Sequence, residues 1–522
     1  MITLKMSRLA NLFIGIKEQF IRTPLPFILG VTLLVRIIYL LLDYPLWWDS
    51  HIYLGMGKYL FSGGNIGIWE PFRPLIHPLI LGFLWKIGTN TILIGKILDL
   101  IFSTLTIYLV YKIGEKVFNK NTAIFASLIF SLTPLFIMFT GLVLTEPLSL
   151  FLGVLGLYFF FREYQENSKT EISLPKNSSL YLSGLFIGLS FLTKFPMGLL
   201  FATILIITFI YQKGWKKITA PLIIIGGFFT VVIPYLLFNW YLYHNPFLPF
   251  ISGTWIMTTG TWKYGTGIWF YFTEFFFNNL AHLFSFGLLG KSTALNNPLS
   301  NLLYLFIFPA VYWFWKRKEY LNYRKSTLWL ASLLFFLYFC YLPRKELRYL
   351  IFALPLLSLL TGEVLNIIYH QLKQQKIKTI KPTSFLVIFT IILLLPLPFP
   401  LDIERQPTFE KEINQVILKY QINGTVLSSD PAFISFLNLP IKTLDGMEFS
   451  PKIYQQQKEK YQLLFINECD LLCPPQNQTC EQEKKDFLKM VYFDNEVEYQ
   501  MKTNNCTYTI LLPKQTDLAK IS

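Results

Sequence analysis

Between Leu25 and Pro400 the chain returns repeatedly to apolar runs of 15–20 residues. No other feature constrains the fold as strongly. A helix needs about 20 apolar residues to cross a bilayer, and within hydrocarbon every backbone N–H and C=O must be satisfied inside the protein. A lipid-facing β-barrel would instead show alternating segments of about ten residues. The chain therefore reads as an α-helical polytopic membrane protein. Only 15% of its 522 residues are charged, against about 25% in soluble domains. Candidate spans are 25–42, 97–114, 122–141, 147–161, 180–193, 197–211, 219–238, 299–315, 327–342, 349–368 and 384–399. Shorter stretches at 75–87 and 276–290 read as juxtamembrane helices at the surface. Lys5, Arg8, Lys17 and Arg22 precede the first run and no small-residue cleavage site follows it, the pattern of an uncleaved span.

Charge orients the spans. After Pro400 there are 13 basic and 17 acidic residues, and subtracting these from 46 and 31 leaves 33 and 14 in the preceding part. A basic membrane region with short basic loops is a positive-inside signature, and no basic stripe interleaved with aromatics points to nucleic acid. One set of alternate loops carries Lys112, Lys116 and Lys120; Lys213, Lys216 and Lys217; Lys316, Arg317 and Lys318; and Lys373 and Lys376. These loops and the N-terminus are expected in the cytoplasm, and an odd number of spans then puts the tail after Pro400 outside.

Four of the five cysteines lie in that tail: Cys469, Cys473, Cys480 and Cys506. An exported location suggests two disulfides, with three pairings open. A zinc site is the alternative, but the tail lacks paired C-x2-C knuckles and histidine. Asn423, Asn477 and Asn505 stand in N-x-[ST] triplets, which suit an exported surface. Segments such as "GTVLSS" and "YTILLP" indicate a small α/β or mostly β unit.

The chemistry is expected on the outer side, where acids are few: Asp43, Asp49, Glu70, Glu146, Glu274 and Glu346, with Asp99 at the margin. "WWDSHIY" sets Asp49 among aromatics, and "LTEPLSLFL" sets Glu146 at a helix start with Pro147 suited to the first turn. "FRPLIHP" supplies Arg73 and His77, four residues apart and so on one helical face. "SFLTKFP" supplies Lys194, and "RKELRYLIFALP" supplies Arg344, Lys345 and Arg348. Helix capping, snorkelling and local pairing are the bland readings of these charges. Together, carboxylates and cations on one outer face suit group transfer from an anionic lipid: the cations hold a phosphate leaving group and a carboxylate takes a proton from the acceptor.

The order and side of these five motifs resemble the GT-C superfamily of membrane glycosyltransferases, closest to the group that includes protein O-mannosyltransferases and lipid A aminoarabinose transferase. The resemblance covers roughly residues 20–370. It implies a GT-C membrane domain, which with the spans above means about 11 transmembrane helices over 1–399; the small α/β or β extracytoplasmic domain over 400–522 rests on charge and cysteines and lies outside the match. The resemblance implies further that Asp49 is the essential acid of the first outer loop and Glu146 the acid of the second. Arg73 would contact the donor phosphate, and Arg348 and Tyr349 would form the Arg-Tyr pair opening a late span. Tyr53, His77, Lys194 and Arg344 complete the expected substrate contacts. Ser50 departs from the pattern, since many members carry a second acid beside the first.

The implied donor is a sugar on a polyprenyl phosphate, dolichyl or undecaprenyl, and the acceptor a protein, glycan or lipid. Transfer would invert the anomeric carbon, with Asp49 as base. Whether Asp49 and Glu146 hold a divalent metal is left open. The long outer segment 240–275 reads as a cover over the cavity. The competing class is a transporter or flippase of lipid-linked sugars. It would place its charges near the midplane, in broken helices, whereas the candidate spans hold only Arg36 and Glu363 well inside and Asp99 and Lys112 within three residues of an end.

Overall fold

The computed structural model describes residues 23–162, 177–259, 269, 271, 302–374, 385–386, 388–390, 393, 410–429, 437–443, 454–456, 460–469, 471, 473, 479–502 and 506–514. The expected juxtamembrane helix at 276–290, most of the span 384–399, Glu274, Asn477 and Asn505 lie outside the described residues.

Three described helices are long and apolar enough to cross a membrane: α1 (Pro24–Leu41), α4 (Thr91–Val117) and α10 (Lys216–Tyr243). Around them pack α2 (Trp48–Phe61), α3 (Ile76–Lys86), α5 (Lys120–Ser131), α6 (Pro134–Met138), α7 (Thr145–Phe161), α8 (Asn177–Thr193) and α9 (Gly198–Tyr211). α11 (Leu248–Thr259), α12 (Ile307–Lys316), α13 (Tyr323–Tyr341) and α14 (Leu354–Gln374) follow. Small residues let backbones approach where apolar burial gives no drive between helices. An added Cβ on Gly184 of α8 would meet the Ile224 carbonyl oxygen of α10 at 2.1 Å, so that crossing requires glycine.

Three expected spans differ, and that at 299–315 does so by a 3₁₀ turn, Leu302–Phe306, ahead of α12. Residues 122–141 do not form one helix: α5 stops at Ser131 and α6 begins at Pro134. Proline lacks an N–H and disfavours helical backbone before it, and Thr133 is extended there. The freed Ser131 carbonyl accepts from Arg36 Nη1 at 3.0 Å, and Arg36 Nε donates to Ser103 Oγ at 3.2 Å. Arg36, fully buried in α1, thus caps a break that lipid could not satisfy. The span expected at 349–368 opens as a 3₁₀ turn, Leu347–Phe352, before α14.

Near the C-terminus five short strands form one sheet in the order β2 (Ile441–Thr443), β1 (Val426–Ser428), β3 (Leu463–Asn467), β5 (Thr507–Pro513), β4 (Asn495–Lys502). The first three run parallel and the last two pairings are antiparallel. With α15 (Glu410–Tyr420) and α16 (Cys480–Asp494) this is an α/β unit. Its cysteines pair Cys469–Cys506 and Cys473–Cys480.

Candidate active site

Helix α2 has no apolar stripe facing lipid alone. It carries Asp49 in its first turn, where unpaired amides and the helix dipole favour a carboxylate. Asp49 Oδ1 pairs with Arg73 Nη1 at 2.9 Å, and Oδ2 with Arg348 Nη1 at 2.9 Å. Each guanidinium has a second acid behind it. Arg73 Nε pairs with Glu70, and Arg348 Nε with Glu346. Glu346 also accepts from Arg344 Nε at 2.7 Å and from the Tyr349 hydroxyl at 2.9 Å.

Beside this array, Glu146 in the first turn of α7 is almost wholly buried and pairs with Lys194 Nζ at 3.0 Å. Its other oxygen accepts from the Thr145 hydroxyl at 3.2 Å. Lys194 sits between α8 and α9, where Pro196 turns the chain. Two buried contacts fix these loops against each other. Ser50 Oγ donates to the Leu142 carbonyl at 2.5 Å, joining the Asp49 turn to the loop before Glu146. Asp99 Oδ2 accepts from the amides of Val143, at 2.8 Å, and Gly141, at 3.3 Å.

Aromatic rings form the floor. The Arg73 guanidinium lies 5.1 Å from the Tyr53 ring centre and that of Arg348 5.8 Å from Trp47, arrangements that favour the cations electrostatically. His77 is buried edge-on to Tyr53, ring centres 5.4 Å apart. Its Nδ1 has no hydrogen-bond partner among the described residues.

Electrostatics follow from this packing. Burial alone would raise the Asp49 carboxyl, but Arg73 and Arg348, with Lys194 behind them, hold it well below the usual carboxylate range. Glu346 is likewise held low: burial raises it, and Arg348 and Arg344 more than offset that. Burial pushes His77 down to about 3, with Lys194 adding to the effect, so its imidazole is neutral. Lys194 is raised, the opposing burial being overcome chiefly by Glu146.

The sequence-read residues Asp49, Arg73, Arg348, Arg344, Tyr349, Glu146 and Lys194 therefore meet in one cluster, with Tyr53 and His77 beneath it. Sequence reasoning gave Glu70 and Glu346 no place in the site, although Glu346 is its branching point. It also passed over Tyr271, whose hydroxyl accepts from the Glu346 amide and donates to the Glu346 carbonyl, both at 3.0 Å. The only sequence signal for Tyr271 was its place in the long aromatic outer segment. Of that segment, α11 lies near the site: Met257 Sδ accepts from Tyr349, and Gly253 approaches the Phe72 carbonyl.

These residues do not fit a divalent ion as they stand. Both oxygens of Asp49 and of Glu146 already accept from guanidinium, ammonium or hydroxyl donors. Among the described residues no three His, Cys, Asp or Glu side chains converge. Asp43, at the end of α1, stands apart, paired with Lys96 at 2.6 Å.

The chain resembles known proteins in part of its sequence and in its fold. The sequence profile of the family described as dolichyl-phosphate-mannose-protein mannosyltransferase matches residues 72–240, which include Arg73, His77, Glu146 and Lys194. No curated protein sequence matches the chain. Among solved structures, ArnT from Cupriavidus metallidurans in the apo state superposes with a TM-score of 0.61 at 11% identity, covering 93% of this chain and 97% of that one. The same protein bound to undecaprenyl phosphate gives 0.50 at 12% identity, covering 76% and 72%. The oligosaccharyltransferase AglB from Archaeoglobus fulgidus, in complex with an inhibitory peptide and a dolichol-phosphate, gives 0.54 at 12% identity, covering 95% and 75%. The chain has the fold of the GT-C membrane glycosyltransferases. The solved structures show a likeness of fold, and the family profile over residues 72–240 agrees with the mannosyltransferase resemblance that the motifs carry.

Proposed function

We propose that the protein transfers a sugar from a polyprenyl phosphate to an acceptor at the outer face of the membrane. Residues 1–399 form the catalytic membrane domain, with the N-terminus cytoplasmic, and 400–522 an extracytoplasmic domain. The observation that carries this reading is the position of Asp49 between two guanidiniums, Arg73 and Arg348, each 2.9 Å away. That arrangement supplies a base and a phosphate clamp in one place.

In the reaction, an acceptor hydroxyl or amine attacks the anomeric carbon as its proton passes to Asp49. The bond from that carbon to the phosphate oxygen breaks, its electron pair stays on the phosphate, and the configuration inverts. Arg73 and Arg348 offset the charge that grows on the leaving phosphate, while Glu146, braced by Lys194, positions the acceptor. No step is routed through a metal. A carboxylate held between two guanidiniums is a weak base. The donor phosphate resolves this by competing for the same guanidiniums, which returns basicity to Asp49 only when the donor is bound. The relatives bound to undecaprenyl phosphate and dolichol-phosphate support a lipid-phosphate donor.

The test has two parts. Lipid-linked sugars and glycans are profiled in cells with and without the gene, and the purified protein is given the polyprenyl-phosphate sugar that accumulates without it. Consumption of that lipid by the wild type but not by Asp49→Asn is expected. Consumption at the same rate by both would remove Asp49 from the reaction.

A further inference from the structure

Helix α2 carries Asp49 at one end and meets the C-terminal sheet at the other. Lys58 follows Asp49 by nine positions, which at 3.6 residues per turn puts it on the opposite side of the helix, roughly 13 Å along the axis. Lys58 is buried, and its ammonium donates to the Leu437 carbonyl at 2.9 Å. The loop leaving α2 is gripped by the same segment. The Gly67 amide donates to the Leu439 carbonyl at 3.0 Å, and the Ile441 amide donates to the Gly67 carbonyl at 2.9 Å. Gly67 thereby extends the sheet beyond β2, its edge strand.

Gly67 cannot be another residue without displacement. Its φ is +87°, and an added Cβ would meet the Gly55 carbonyl oxygen of α2 at 2.2 Å. It is squeezed between the helix that carries Asp49 and the edge strand. Six residues further on, the same loop delivers Arg73. Beside the seam is a cavity of about 220 Å³ whose lining includes Leu54, Lys58, Trp85, Asn90 and Asn438. The two units thus meet through directed polar contacts beside this cavity and through one apolar cluster that contains Leu437 and Ile441 as well as Leu54 and Ile68.

We infer that residues 437–441, through Lys58 and Gly67, are a positioning element that sets the Asp49–Arg73 pair from behind, so that the C-terminal unit governs the phosphate clamp without touching it. The inference rests on the proposed role of that pair. Lys58 is a positioning residue: it faces away from the cluster and acts through α2 and the loop 62–73.

The test uses the full-length protein in nanodiscs, with undecaprenyl phosphate as probe and hydrogen exchange by mass spectrometry as a readout that needs no ligand. Lys58→Met should weaken binding about tenfold and Lys58→Arg should restore it, whereas in an Arg73→Ala background Lys58→Met should cost nothing more, the non-additivity of sites that act as one unit. Amides of residues 62–73 should exchange faster in Lys58→Met, with those of β3 and β5 unchanged. Unchanged exchange in the loop, or losses that simply add in the double variant, would overturn the inference. Failure of the wild type to bind the probe would instead count against the proposed donor, and the exchange comparison would still decide the seam.

Discussion

Arg348 and Asp49 are 299 residues apart in the chain and 2.9 Å apart in space. The contact joins the late 3₁₀ turn to helix α2, and on the proposed mechanism it occupies one carboxylate oxygen until the guanidinium has another anion to hold. Arg73 does the same for the other oxygen.

From this competition the two halves of catalysis should separate in one substitution. Asp49→Asn leaves both guanidiniums without that carboxylate, so undecaprenyl phosphate should bind at least as tightly as to the wild type. Transfer should fall by about 10²–10⁴, the usual cost of losing a general base. Arg73→Ala should weaken binding and transfer together. Asp43→Asn is the control: its carboxyl is largely exposed and stands apart from the cluster. Equilibrium binding and single-turnover transfer check all three, and weaker binding in Asp49→Asn would contradict the exchange.

Glu146 and Lys194 test a buried pair. Removing one partner leaves the other charge uncompensated, which costs about 3–5 kcal/mol, whereas removing both can be nearly neutral. Glu146→Gln and Lys194→Met should each lower the melting temperature in detergent more than the double variant does. Both singles and the double should lose transfer, because acceptor positioning goes in every case. Additive melting shifts would show that the two charges are not coupled.

The pH dependence of stability has a definite sign. His77 titrates near 6.5 when exposed and is pushed down to about 3 by burial. The unfolded chain therefore binds the proton more readily, so this contribution is complete above about 6.5 and drains away as pH falls toward the folded value. His51, lowered to about 4 by burial, acts in the same direction. His77→Phe keeps the ring against Tyr53 and should flatten the fall in melting temperature between neutral pH and about pH 4. Asp49, held well below the usual range by Arg73 and Arg348, should remain ionised throughout that window. Parallel pH profiles for wild type and His77→Phe would refute the assignment.

The two disulfides should differ in weight. Cys469–Cys506 closes 37 residues and Cys473–Cys480 only 7. On the chain-entropy account the losses are about 4 and about 2 kcal/mol. Cys469→Ser/Cys506→Ser should therefore destabilise the C-terminal sheet more than Cys473→Ser/Cys480→Ser, as read by hydrogen exchange in β3 and β5. Equal effects would point to local strain rather than loop closure.

Much of this site was legible because its charges stand where charge is scarce. Asp49, Arg73, Glu146, Lys194 and Arg348 each sit beside an apolar run, and the positive-inside pattern put them together on one expected side. What could not be read was pairing. Glu346 lies between Arg344 and Arg348 in sequence and does pair with both, as local counterions would, but nothing in the sequence shows that it also ties them to Tyr349 and Tyr271. His77 and Tyr53, expected as substrate contacts, are both buried, Tyr53 against Arg73 and His77 against Tyr53, a packing that their spacing in sequence does not reveal. The break at Pro134 was written in the sequence, but hydropathy averaged over a window passes over one proline. The sheet order was beyond reach, because three-residue strands such as β1 and β2 carry too little periodicity to be ordered.

Val143 adopts φ 55°, a left-handed conformation that costs a β-branched residue most. It is fully buried, and the Asp99 carboxylate holds its amide in place. The turn that presents Glu146 is thus kept under tension by a residue chosen against its own preference, where glycine would rest. Glycine would release that strain only by emptying a core position packed against Gly95, so the burial that makes Val143 costly to twist is also what holds the turn in shape.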